Sequence, residues 1–207
     1  MAIRNIVTVE DPVLRKTSRR VEKFDEKLAM LLDDMKETLK KADGVGLAAV
    51  QVGILRRIVI VDVDDAEPLE LINPEIVETE GEQEGQEGCL SLPEKWGIVC
   101  RPNFVKVRAQ DRNGRWHMYK GEGLKARCFC HEIDHLDGII FTDRVKKMLT
   151  EEEKEIVRRT RNTENHHVAK NADPRDYMYA TAFEGLIGYL YLSEQKERLE
   201  QILNKCI

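Results

Sequence analysis

The sequence predicts an α+β fold: antiparallel strands around one central helix, followed by a helical C-terminal appendage. Three observations predict it. Short β-branched or alternating runs fill the middle of the chain, between Arg57 and Lys120. A single internal helix pattern, from Gly123 to about Asp137, carries the most polar motif of the chain among apolar neighbours. From about Leu149 onward, helical patterns replace strand patterns.

Each element has a local reason. Asp25 to Asp43 reads as an amphipathic helix, because Leu28, Leu31, Leu32, Met35 and Leu39 recur at helical spacing with charges between them. A loop with Gly44 and Gly46 follows. Arg57 to Val63 is short and β-branched, as a buried strand is. Leu69 to Asn73 and Glu75 to Thr79 are strand candidates on either side of Pro74, and the Gly-, Glu- and Gln-rich stretch from Thr79 to Gly88 reads as a loop. Phe104 to Ala109 alternates apolar and charged residues, Asp111 to Gly114 is a turn signal, and Arg115 to Lys120 is the returning strand. Gly123 opens the internal helix and Gly138 stands where it would stop. Near the C-terminus, Thr150 to Arg161, Tyr177 to Leu192 and Glu194 to Asn204 have helical patterns.

A chain of 207 residues can build one core and an appendage. The composition is that of a soluble globular protein. A net charge of −5 provides no electrostatic reason for nucleic-acid binding. No apolar run approaches the roughly 20 residues of a membrane span, and Met1 to Asp11 lacks an apolar signal core, so a cytoplasmic protein is expected. The five cysteines are odd in number and irregularly spaced, which favours buried thiols, metal ligands or nucleophiles over disulfides.

The strongest motif is His131-Glu132-Ile133-Asp134-His135. On a helix, positions i and i+4 share a face, so both imidazoles can reach one metal ion. Glu132 can then serve a metal-bound water as general base and acid. Phe129, Ile133 and Leu136 place this helix inside the domain, where buried His and Glu need partners. Two histidines leave a catalytic metal one short of the usual three protein ligands. Spacing leaves two sources open: His166 or His167 downstream, or Cys89 in the upstream Glu87-Gly88-Cys89-Leu90-Ser91. A third stretch, Gly44-Val45-Gly46-Leu47-Ala48-Ala49-Val50-Gln51, has small residues that permit close backbone approach, and Gln51 offers an amide N–H to a developing oxyanion. It is not a dinucleotide fingerprint, because it follows a helix and lacks the third glycine.

In order and separation, GVGLAAVQ, EGCLS and HEIDHLDG resemble the three motifs of the peptide deformylases. The resemblance covers about Met1 to Lys147, including Asp11-Pro12-Val13-Leu14-Arg15 and the Arg101-Pro102 pair that leads into a strand. It implies Cys89, His131 and His135 as metal ligands and Glu132 as the base and then the acid. It further implies an oxyanion site made of Gln51 and the Leu90 N–H. The loop from Asp43 to Gly46, with Val45 and Gly46, and the region of Gly88 would line the cleft, where the peptide would lie extended like an added strand. The implied reaction removes the formyl group from the N-terminal N-formylmethionine of newly synthesised proteins, with nascent chains, at the ribosome, as partners and neither membrane nor nucleic acid involved. The implied cofactor is one divalent metal ion, ferrous iron by family habit, although zinc or nickel also fits thiolate and imidazole ligands.

One position departs from the family pattern: Cys130 stands where Gln is usual. A residue at i−1 points about 100° away from the ligand face, so a change around the ligands is expected and not the loss of one. Arg101 and Asp134, two charges in apolar surroundings, are expected to pair and brace the metal helix from behind.

The expected domains are residues 1–148 and a helical appendage over 149–207. In the appendage, Val168 to Asp173 and Tyr179 to Leu192 resemble the end of the mini ribonuclease III family, with Glu184 matching a position that helps bind magnesium there. The further carboxylates of such a nuclease are missing, and residues 149–207 carry nine Lys+Arg against eleven Asp+Glu, a net of −2. Phosphates would find little to bind. An inert or assembly-related tail without RNA cleavage is expected.

Overall fold

The computed structural model describes residues 2–63, 67–145, 150–161 and 174–203. The chain divides into two compact units, Met1–Val145 and Lys146–Ile207.

The first unit is α+β, as expected. Strands β1 (Gly46–Ala48), β2 (Ile58–Val61), β3 (Leu69–Glu80), β6 (Phe104–Gln110) and β7 (Trp116–Glu122) form one sheet in the order β1-β2-β3-β6-β7. Every neighbouring pair in it is antiparallel. Strands β4 (Gln83–Cys89) and β5 (Leu92–Arg101) form a separate two-stranded hairpin.

Helix α1 (Glu26–Lys41) begins where the Asp25 carboxylate accepts the Leu28 N–H at 3.1 Å, and it ends with Lys40 and Lys41 against the negative end of its dipole. Its apolar face, Leu28, Leu32, Met35 and Leu39, packs with Leu47, Ile58, Ile60 and Ile72. Helix α2 (Gly123–Leu136) packs Ala126, Phe129, Ile133 and Leu136 with Val59, Val61, Val105 and Val107. Strand β2 therefore feeds both clusters, Ile58 and Ile60 to one and Val59 and Val61 to the other. Burial on both faces explains why this strand is continuously apolar. Each such side chain contributes about 1.5–3 kcal/mol on leaving water. The short helix α3 (Phe141–Val145) closes the unit.

Two expectations about the middle of the chain are corrected. The Thr79–Gly88 loop is instead the end of β3 followed by β4, which pairs with β5 from Gln83↔Arg101 to Gly88↔Trp96. Gly, Glu and Gln have weak strand preference, and partner contacts override it here. Pro74 does not divide two strands. Strand β3 runs through it, with a register shift against β6 between Ile72 and Glu75 where the missing N–H is accommodated.

The second unit contains α4 (Glu151–Arg161), α5 (Pro174–Leu192) and α6 (Lys196–Leu203). Leu186, Leu190 and Ile202 form its core, with Val157, Ile187, Tyr189 and Leu199 packed around them. Arg198 donates to both carboxylate oxygens of Glu153, at 2.7 and 3.0 Å. His166, His167, the stretch from Val168 to Asp173, and Cys206 lie outside the described residues. Among the described residues, no helix is long and apolar enough to cross a membrane.

Candidate metal centre

Helix α2 buries eleven of its residues in succession, from Ala126 to Leu136, so both histidines and Glu132 sit inside the fold. Cys89 reaches the same point from the end of β4. The pairing shifts there from Gly88↔Trp96 to Cys89↔Leu92, and such an irregularity re-aims a side chain. One ligand atom each from Cys89, His131 and His135 lies within 4.8 Å of the others. The Cys89 sulfur is 3.2 Å from His135 Nε2, and the two imidazoles meet edge to face at 4.9 Å. Among the described residues, this is the grouping of His, Cys, Asp and Glu that can hold a metal ion.

The surrounding groups orient these atoms. His131 Nδ1 donates to Glu87 Oε2 at 3.0 Å, which fixes the ring and frees Nε2 for an ion. Glu87 is also held by Arg101, through Nε at 2.8 Å and Nη2 at 3.0 Å. Burial alone would raise the Glu87 carboxyl, but the bonds from His131 and Arg101 outweigh it and bring it down to about 2. Arg101 Nη1 donates to Asp134 Oδ2 at 2.6 Å, so the expected brace behind the helix is present, and Arg144 holds the other oxygen at 2.5 Å. Cys130 belongs to the apolar cluster, with its thiol pushed up to about 11 by burial, and it is not part of the ligand grouping.

Gln51 has a defined orientation. Its carbonyl oxygen accepts the Ala48 N–H at 2.8 Å, while its NH2 lies 3.5 Å from Cys89 Sγ and 3.2 Å from Ser91 Oγ. The donating side of the amide therefore faces the ligand grouping. Strand β1 comes equally close: a Cβ on Gly46 would lie 2.4 Å from Glu132 Oε1 and 2.7 Å from Cys128 Sγ, so only glycine fits there. Val45, Gly46, Gln51, Gly88, Leu90 and Glu132 line a cavity of about 460 Å³ together with Cys89 and His131.

Glu132 is 4% exposed, and burial pushes its carboxyl up to about 7. Its Oε2 has no hydrogen-bond partner. His135 is fully buried, and burial holds its pKa well below the usual value, which favours the neutral form that a metal ligand needs. One thiol, two imidazoles with a carboxylate behind one of them, and an unpartnered carboxyl oxygen nearby fit a three-ligand cation with an open position. Glu87 and Arg127 were passed over as site residues in the sequence. The available signal was a carboxylate two residues before Cys89, the last of several in that stretch, and a cation one helical turn before His131.

A family model described as polypeptide deformylase matches residues 3–151. A second, described as ribonuclease III domain, matches residues 127–195, less than half of the chain. The peptide deformylase of Caldicellulosiruptor bescii is 55% identical over 153 residues, 74% of this chain and 92% of that protein. That of Acetivibrio thermocellus is 51% identical over 171 residues, 83% of this chain and 99% of its own. The crystal structure of the Thermotoga maritima peptide deformylase is similar at a TM-score of 0.68 and 42% identity, covering 70% of this chain and 99% of that one. The Synechococcus elongatus enzyme in complex with actinonin is similar at 0.66 and 43%, covering 68% and 77%. Motifs, fold and relatives agree over the same residues, and this chain belongs to the peptide deformylase family.

Proposed function

We propose that the chain hydrolyses the formyl group of N-formylmethionyl peptides at the centre formed by Cys89, His131 and His135. The observation that carries this reading is the convergence of those three ligand atoms within 4.8 Å beside the buried Glu132. A divalent ion held by Cys89, His131 and His135 would supply Lewis-acid activation of water and of the formyl carbonyl. Glu132 takes the proton of the attacking water, a task suited to a carboxyl raised to about 7 by burial. The Gln51 amide and the Leu90 N–H meet the charge that grows on the formyl oxygen. Glu132 then returns its proton to the departing amine, so that formate and a free N-terminus leave. Within the described residues β4 is paired along one edge only, by β5, and the substrate backbone lies extended beside Gly88 and the Val45–Gly46 stretch. A formyl carbon carries only hydrogen, so a tight pocket excludes acetyl by size.

The metal is ferrous iron in this reading, with zinc or nickel able to occupy the same ligands. The substrates are nascent chains at the ribosome, in the cytoplasm. Residues 1–148 form the deformylase domain, and 149–207 form an appendage that neither binds nor cleaves nucleic acid. Glu184 is exposed on α5, and among the described residues it belongs to no grouping that could hold a metal ion.

The test is deformylation of a formyl-Met peptide by protein purified anaerobically with ferrous iron, beside Cys89→Ala and Glu132→Ala. Cys89→Ala is expected to lose both metal and activity, and Glu132→Ala to keep the metal while its kcat/KM falls about 10²–10⁴-fold. Full metal retention by Cys89→Ala would instead support a protease-like site with a downstream histidine.

A further inference from the structure

Arg127 stands one helical turn before His131 and is 5% exposed. Its guanidinium bonds to both strands of the β4–β5 hairpin. Nη1 donates to Gly85 O at 3.2 Å, Val99 O at 2.9 Å and Glu87 Oε1 at 2.8 Å, and Nη2 donates to Gln83 O at 3.2 Å. The space for it is made by Gly85, where a Cβ would lie 2.9 Å from Nη2 and 3.1 Å from Cζ. A group tied to four acceptors cannot swing aside to admit that carbon.

The hairpin is not hydrogen-bonded into the five-stranded sheet, yet it delivers Cys89 and leads into Leu90. The other two ligands ride on α2. The distance from Cys89 to the histidines therefore depends on how the hairpin seats against α2. Arg127 acts on that seat twice. It holds the carbonyls of Gln83, Gly85 and Val99, and it holds Oε1 of the carboxylate whose Oε2 orients His131. Arg101, which binds both Glu87 and Asp134, keeps the hairpin attached to α2 independently. The contribution of Arg127 is thus one of placement.

We infer that Arg127 is a positioning residue for the metal centre: its guanidinium sets where the β4–β5 hairpin seats on α2, and so the reach of Cys89 toward the ion held by His131 and His135. The inference rests on the ligand assignment made above. Lysine keeps the charge but is a single point donor, without the fork that spans several acceptors.

The experiment uses the full chain loaded with cobalt(II). It reads the thiolate-to-cobalt absorption band, the rate of cobalt loss to a chelator, and kcat and KM separately. Arg127→Lys and Gly85→Ala approach the same contact from opposite sides. Both are expected to remain folded by circular dichroism, with a weakened or shifted thiolate band. Both should lose cobalt about 10–100-fold faster, the usual effect of losing a group behind the ligands, and kcat should fall more than KM changes. A lowered melting temperature with the wild-type band and the wild-type rate of cobalt loss in both variants would overturn the inference. If Arg127→Lys does not fold, Gly85→Ala decides on the same readings. Cys89→Ala separates the two layers of the argument: a surviving thiolate band there would overturn the ligand assignment itself.

Discussion

The two units use buried charge differently. In the first, Glu87, Arg101, Arg127, His131, Glu132, Asp134 and His135 are all buried around one point. In the second, the buried polar residue among those described is Glu153, paired with Arg198 beside a small aliphatic core. Burying a charge is costly unless partners repay it, so a dense buried network persists where an ion and a proton transfer need it. The second unit spends its interior on Leu186, Leu190 and Ile202 and leaves Glu184 at the surface. Its likeness to a nuclease segment thus brings a helix and a carboxylate, and among the described residues no second ligand grouping.

The contrast is broken most directly at Glu132. Replacing Glu132 with Ala should lower kcat/KM by about 10²–10⁴-fold, the usual cost of losing a general base, while metal analysis finds the ion retained. Wild-type turnover in Glu132→Ala would remove the proton-transfer role. Next in size is Asp134→Asn, which leaves Arg101 and Arg144 facing a neutral group. Breaking a buried pair costs about 3 kcal/mol, so a clear drop in the urea midpoint and weaker metal retention are expected. An unchanged midpoint and unchanged metal content would mean that the brace is idle.

A smaller effect is expected at Glu70, half-way between core and surface, where Arg112 and Lys36 both pair with it. Burial alone would raise its pKa, but hydrogen bonds from Arg112 and Lys36 prevail and lower it. The folded pKa therefore lies below the unfolded one. The stability it adds is present above the ordinary carboxylate range and is lost as pH falls through the depressed value. Glu70→Gln should therefore unfold earlier than wild type at neutral pH, and the gap should close in acid. A gap that persists at low pH would assign the effect to packing. Smallest of all is Glu184→Ala, an exposed change expected to stay within about 0.5 kcal/mol in thermal stability and to leave deformylation unaltered. Truncation after Lys147 carries the same logic further: deformylase activity should survive, and its loss would show that the units are not independent in function.

The readable parts of the site are those with local periods. His131 and His135 were legible because helical spacing alone puts i and i+4 on one face. Helix α1 was legible from Leu28, Leu32, Met35 and Leu39 for the same reason. Cys89 was different. Spacing left it in competition with His166 and His167, and the resemblance, not the residue pattern, singled it out. Strand β4 was misread as a loop because Gln83-Glu84-Gly85-Gln86-Glu87-Gly88 has little strand preference of its own and is ordered by β5 and by the Arg127 guanidinium.

The sequence by itself determined the fold class, the helix with two ligands and a base between them, and the strand that is apolar on both faces. These follow from propensity and periodicity over a few consecutive residues. Only the tertiary structure decided how Cys89 meets the histidines, which way the Gln51 amide faces, and that Glu87 is shared by His131, Arg101 and Arg127. Apart from the local Ala48–Gln51 bond, those facts depend on groups 14 to 46 residues apart in the chain, brought together by burial and selected by the need to satisfy each buried polar atom, and no local pattern encodes them.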